Sequence, residues 1–171
     1  MSRISPISLV RAIATVRTMD MARKEQLGDE IFRAQPHLFG SFLVQKRMGV
    51  NLVKMDFLLE ILFVCFKAMQ ESGLTWPVIT EDDLELQLGR YMAIVKFSDD
   101  LNETMKHQST QQYIADHSEK YLFAFVATEL TGWLQRIVPE ESDKYVMMAA
   151  MNLVNCIAFV DLANFQPVAV R

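Results

Sequence analysis

The chain has 171 residues, 51% of them hydrophobic and 22% charged, with a formal net charge of −4. That apolar fraction excludes a disordered chain, and the length suits one domain with a real core rather than two. The acidic balance, with a pI near 5.4, argues against a nucleic-acid binder.

Ser5 and Pro6 read as the N-cap and first residue of an opening helix, with Ile7, Val10, Ile13, Ala14 and Val16 as its apolar stripe. Arg3, Arg11 and Arg17 precede the first acid, Asp20. That composition is shared by transit peptides and by an ordinary helix with a basic outer face. The Ser-Pro start favours the ordinary helix. A secretory signal is not indicated, because no uninterrupted apolar stretch lies near the start.

A second short helix is expected from Asp20 or Asp29 to Ala34, stopping before Pro36. Pro36 opens a third segment with Leu38, Phe39, Phe42 and Leu43 inward, broken at Gly49. Residues 51–70, NLVKMDFLLEILFVCFKAMQ, are almost wholly apolar. Asp56, Glu60, Lys67 and Gln70 fall within a stripe of roughly 80° at about 100° per residue, so the rest of the circumference needs cover.

The clearest boundary is 71–80. Gly73 suits the position after a helix end, and Trp76 reads as a plug over the end of the bundle. Thr80 is a strong N-cap, with Glu81, Asp82 and Asp83 in the first turn. The helix it starts is expected to run over 81–106, followed by a short turn near 109–115. A second nearly all-apolar helix is expected over 118–137. Ser142 caps the last helix, which runs to 165, before Pro167 and the tail. No alternating stretch with hairpin chemistry supports a strand. A faint echo between 71–76 and 129–133 hints at related hairpins, though chance explains it equally well.

The expected fold is therefore a single-domain, all-α bundle of about six or seven helices, with the helices at 51–71 and 118–137 central. Two such apolar helices in a chain this small imply a homodimer that covers part of them. No apolar run approaches the ~18 to 20 residues that span a bilayer. Cys65 and Cys156, inside apolar runs, read as buried, reduced thiols of a cytoplasmic protein.

Candidate sites are few. Glu129 shares a face with Leu122, Val126 and Trp133 in a helix of little other polarity. It reads either as a ligand anchor in an apolar pocket or as an ion pair with Lys96, Arg90 or Arg136. Glu60 belongs to the polar stripe and must meet water or a cation. Glu129, Trp133 and Glu60 are the ligand-binding candidates. Asp56, Glu60, Glu129 and Asp161 could together hold a metal pair, but no Glu-x-x-His accompanies them, so no metal and no cofactor are expected. Asp161 is better explained by pairing with an N-terminal arginine. The methionines, Met147, Met148 and Met151 among them, read as core more readily than as an adaptable surface. No nucleophile elbow, phosphate loop, Cys-x-x-Cys or His-Glu-x-x-His is present, so no catalytic residue is assigned. The expected function is a non-enzymatic interaction or regulatory module, with a small-molecule pocket at Glu129 as the alternative.

Overall fold

A computed structural model describes residues 2–162. Among these residues the chain is all helical, with no strand. The helices are α1 (Pro6–Arg17), α2 (Met21–Ala34), α3 (Pro36–Leu43), α4 (Leu52–Glu71), α5 (Glu81–Asp99), α6 (Glu103–Asp116), α7 (Lys120–Leu134) and α8 (Asp143–Phe159), with a 3₁₀ segment at Val44–Met48.

Local side-chain chemistry sets most starts. Ser5, Asp20, Asn51, Thr80 and Asn102 each accept the amide three residues on. At Thr80 the box is complete: its hydroxyl accepts the Asp83 amide at 3.2 Å, and the Asp83 carboxylate accepts the Thr80 amide at 2.9 Å. Gly49 and Gly73, at φ 91° and 70°, make the left-handed breaks before and after α4.

Asn102 explains one correction. The stretch expected as a single helix over 81–106 is two helices, because the Asn102 side chain caps Met105 at 2.9 Å and opens α6. The expected turn near 109–115 is the body of α6. At α8, Ser142 holds the cap position without a side-chain bond; Asp143 instead accepts the Glu140 amide at 2.8 Å. α8 stops at Phe159, where the Arg3 guanidinium takes the Val160 carbonyl at 2.6 Å. The expected extension to 165 and the tail lie mostly outside the described residues.

One core unites the bundle. α1 lies along α4, and α4 packs on α8. α8 also meets α3, α5 and α7, and is buried over the whole run Ala150–Ala158. Full burial of side chains such as Leu58, Leu62, Leu153 and Ile157 contributes roughly 1.5–3 kcal/mol each before entropy is counted. α1 is thus the main partner of α4, and α8, rather than the helix expected over 118–137, is the second helix buried at the centre. α7 buries Leu122, Phe123, Val126, Leu130 and Trp133 but leaves Tyr121, Ala124, Thr128, Thr131 and Leu134 exposed. Its outer residues are small or polar enough to meet water.

The face of α1 also differs from the expected stripe. Leu9, Ala12 and Val16 are buried, while Ile7, Val10 and Ala14 are exposed. Both sets fit helical spacing, and only the position of α4 decides between them. The segments 71–76 and 129–133 have no common structure: the first ends α4 and the second lies inside α7. Trp76 folds back on α4, donating from Nε1 to the Met69 carbonyl at 3.0 Å and sharing Ser72 Oγ at 3.1 Å. Buried Gln35 ties down the same linker, accepting the Ile79 amide at 2.9 Å and donating to the Pro77 carbonyl at 2.8 Å.

Candidate functional site

The three ligand-binding candidates occupy three different contacts. Glu60 pairs with Lys24 of α2 and lines an open cleft of about 510 Å³ with Asp56, Leu59 and Phe63. Glu129 reaches Arg17 of α1 at 3.1 Å, an exposed pair with 31% of the Glu129 side chain open to solvent. Its partner is none of the three cations named from the sequence. Trp133 is buried and stacks on Phe57 with ring centroids 4.8 Å apart and planes 2° from parallel. Glu129 lines none of the cavities described below. Asp161 is exposed just beyond α8. Among the described residues no cluster of three or more His, Cys, Asp or Glu side chains is placed to hold a metal. Nor is any helix there long and apolar enough to cross a membrane.

The most polar buried contact was not visible in the sequence. Lys54, in the first turn of α4, places its ammonium 2.5 Å from Asp143 Oδ1 and 2.7 Å from Glu140 Oε2, and donates to the Val138 carbonyl at 3.3 Å. It also lies 5.9 Å from the Trp133 ring centroid. Burial works against its charge, yet the two carboxylates outweigh that and hold its pKa above the usual lysine value. Burial likewise opposes the Asp143 charge, and Lys54 with the Glu140 amide holds that carboxyl below its usual range. The Lys54 ammonium meets both carboxylates and the Val138 carbonyl, so the group fastens α4 to the start of α8.

A second buried polar group closes the other end. The Glu119 amide donates to His117 Nδ1 at 3.1 Å, which leaves Nε2 to carry the proton and meet Asn155 Oδ1 at 3.1 Å. Tyr113 donates to the same oxygen at 3.3 Å. Fully buried Glu119 accepts the Arg3 and Ile4 amides at 2.6 and 3.2 Å, fixing the approach to α1. Burial among Tyr113, Phe123 and Phe159 lowers the His117 pKa below 6.5, against the pull of its hydrogen bonds. Burial also raises the Glu119 carboxyl above 4.5, restrained by the two amides and the Arg3 charge. The imidazole is held by the Glu119 amide and Asn155, and the carboxylate by the Arg3 and Ile4 amides, so both side chains are engaged in joining segments of the chain.

The thiols are similarly withdrawn. Cys65 and Cys156 are both buried and free. Burial, with the Asp83 charge beside it, pushes Cys156 up to about 12, and burial alone pushes Cys65 higher. Burial thus favours the protonated thiol at both positions.

Two apolar surfaces remain. A groove of about 340 Å³ runs between the 3₁₀ segment, α5 and α8, walled by Met48, Leu84, Leu88, Met148 and Leu153. On its floor Asn152 donates to the Leu84 carbonyl at 3.1 Å, while its Oδ1 meets only the long Cys156 Sγ contact at 3.9 Å among the described bonds. The second surface is the outer part of α5. Beyond Tyr91 no residue of this helix is buried, and Met92, Ile94, Val95 and Phe97 are all exposed. α6, which follows, buries no residue at all. No family model, no curated protein and no solved structure matches the chain.

Proposed function

We propose that the chain is a protein-interaction module that works as a homodimer rather than as a catalyst. One observation carries this reading: the outer half of α5 presents Met92, Ile94, Val95 and Phe97 to solvent, with Phe97 65% exposed. Scattered exposed apolar residues are ordinary, but these four surround a helix segment that has left the core, and an apolar segment uncovered on all sides is suited to contact with another protein. The buried polar groups fit the same reading, since Lys54, His117 and Glu119 are engaged in holding helices together. Two free, buried cysteines support a cytoplasmic setting. A further protein partner would act through the remaining face of the dimer.

Size-exclusion chromatography with light scattering tests the assembly. The expected mass is that of two 19.6 kDa chains at micromolar concentration. A single-chain mass at that concentration overturns the reading. Co-purification from cells, read by mass spectrometry, then identifies any further partner.

A second reading is favoured by the groove, whose apolar walls and the spare Asn152 acceptor suit a small apolar molecule carrying one hydrogen-bond donor. Glu129 supports it less, being paired with Arg17 away from the described cavities. A thermal-shift screen of apolar alcohols and phenols tests it: stabilisation abolished by Asn152→Leu supports the groove, and no stabilisation by any compound removes it.

A further inference from the structure

We infer that the chain docks on anionic lipid bilayers through the end of the bundle where the 3₁₀ segment, the start of α4 and the α7–α8 connection meet. This goes beyond the dimer reading and uses none of the α5 residues that carry it.

Composition sets this end apart. Residues 31–55 hold no acid, although the chain as a whole has a net charge of −4, and they include Arg33, Lys46, Arg47 and Lys54. The fold then exposes apolar side chains among those cations. Gly49, at φ 91°, turns the chain from the 3₁₀ segment into α4. Leu52 and Val53, in the first turn of α4, are left exposed, and the α7–α8 connection brings Val138 to the same cleft. Val138 and Val53, 82% and 78% exposed, are the two most exposed large apolar side chains among the described residues. The cleft they line is open, about 720 Å³, and Lys46 lines it too. Asn51 donates to Glu140 at 3.3 Å, which ties the start of α4 to the connection.

Relief and charge together select the occupant. The two valines stand almost clear of their neighbours, so they offer no continuous face to a rigid partner. They suit a fluid interface, where apolar tips sink among acyl chains while lysine and arginine stay at the phosphates. The charges have the matching sign. Over 44–54 and 134–144 the cations are Lys46, Arg47, Lys54, Arg136 and Lys144, and the acids are Glu140, Glu141 and Asp143: five against three, a net of +2. All three acids are engaged by cations. Lys54 holds Glu140 and Asp143 at 2.7 and 2.5 Å, and Lys144 holds Glu141 at 3.3 Å. Lys46, Arg47 and Arg136 are exposed and form no ion pair among the described residues. Asp56, the next acid along α4, lines the separate cleft of Lys24 and Glu60. With +2 at this end and −4 in total, the rest of the chain carries −6, so an anionic surface is approached with this end first. Each exposed cation and each inserted methylene adds a small increment, so the contact is reversible and weakens with salt.

The test is co-sedimentation of the full chain with phosphatidylcholine vesicles, with and without about one-third phosphatidylserine, at low and at physiological salt. The unaltered chain should bind the anionic vesicles at least about tenfold more strongly than the neutral ones, and less at the higher salt. Lys46→Gln with Arg47→Gln, and separately Val53→Ser with Val138→Ser, should each weaken binding by about tenfold, with unchanged helix content by far-ultraviolet circular dichroism. Ile7→Ser with Val10→Ser, also at exposed positions but on α1, should leave binding unchanged. An environment-sensitive fluorophore on Val53→Cys should shift to the blue on the anionic vesicles, the native Cys65 and Cys156 being buried and left unlabelled. No binding to anionic vesicles, or equal binding to neutral ones, overturns the inference. Binding that ignores both pairs of variants, or that is lost with the α1 pair, overturns this end of the bundle as the contact. An unshifted fluorophore on a bound chain overturns insertion of the tip. Retention on a polyglutamate column without vesicle binding assigns this end to an acidic protein and overturns the bilayer as partner. The mass of the chain in solution decides the dimer reading separately.

Discussion

α8 and α6 are close in length and opposite in character. α8 has eleven buried residues of seventeen, and α6 has none of fourteen. The first is surrounded by α3, α4, α5 and α7, while the second leans on α5 and α7 and reaches α8 through Tyr113. α5 joins the two regimes: its first half is packed on α8 and its second half leaves the core. Stability therefore resides in the contacts among α1, α4 and α8, whereas the apolar residues of the outer arm add little to the isolated fold. A surface apolar enough to stay clustered yet idle for folding is the expected property of an interface.

The largest contrast is between Leu58 and Phe97. Leu58 is fully buried in α4. Leu58→Ala should lose about 2–5 kcal/mol through lost transfer energy and a residual cavity. Phe97→Ser, measured by urea unfolding at concentrations where the chain is monomeric, should change stability by no more than about 0.5 kcal/mol. A loss at Phe97 comparable with that at Leu58 would mean the arm is part of the folding core, and the comparison would fail.

Within the core, the Lys54 group should be sensitive to removal of one partner only. Lys54→Met strands the buried Asp143 carboxylate and should lower the melting temperature clearly. The pair Lys54→Met with Asp143→Asn removes the stranded charge and keeps an acceptor for the Glu140 amide, so it should recover part of the loss. No recovery would show that the ammonium is wanted for itself.

His117, in the buried polar group at the other end, makes stability dependent on pH. Its pKa is lowered in the native state, so the unfolded chain takes up a proton first as pH falls. Stability from the neutral ring is whole above 6.5 and is lost as pH falls from there through the lowered native value. Glu119 works in the other direction. Its carboxyl is raised, so its contribution is present below 4.5 and lost as pH rises through its native value. Melting temperatures at pH 7.5 and 5.5 should fall less for His117→Gln than for the unaltered chain. An equal fall in both would place the titration elsewhere.

A smaller effect belongs to the start of α5. Thr80→Ala removes one half of the capping box and should cost about 1 kcal/mol. Because this turn positions the whole arm, the variant should also loosen the proposed dimer slightly, which sedimentation can detect.

The caps at Ser5 and Thr80 and the break at Gly73 were legible because each depends on residues within one turn. So was the all-α class, which needs only the apolar periodicity. The buried polar groups were not. Lys54 and Asp143 lie 89 positions apart, and Arg3 and Glu119 lie 116 apart. Nothing local distinguishes Lys54 from a solvated lysine on an apolar helix. The exchange of roles between α7 and α8 has a related cause. The sequence reading ranked the helix over 118–137 as central, but only packing reveals that Ala124, Thr128 and Thr131 of α7 face outward while Asn152 and Asn155 of α8 find partners inside. The α1 stripe faces the core at Ile13 and Val16 but not at Ile7, Val10 and Ala14, because two apolar arcs share one helix. Glu129 was rightly marked as an acid on an apolar helix, yet its cation came from α1, whose rotation the sequence left open.

Arg17 and Glu129 define the weakest contact considered. The guanidinium side chain is 63% exposed and the carboxylate 31%, so solvent screens the attraction and both side chains lose rotamer freedom in making it. Arg17→Ala and Glu129→Gln should each change stability by less than about 1 kcal/mol, and a double-mutant cycle should give a coupling of about the same size or smaller. The sign at Glu129 discriminates further. An exposed, paired carboxylate loses a little stability when neutralised, whereas a carboxylate held unpaired in an apolar pocket gains it, because the desolvation penalty disappears. A rise in melting temperature of several degrees in Glu129→Gln, with Arg17→Ala neutral, would therefore return this residue to the role of a ligand anchor and move the functional surface from the arm to the α1–α7 face.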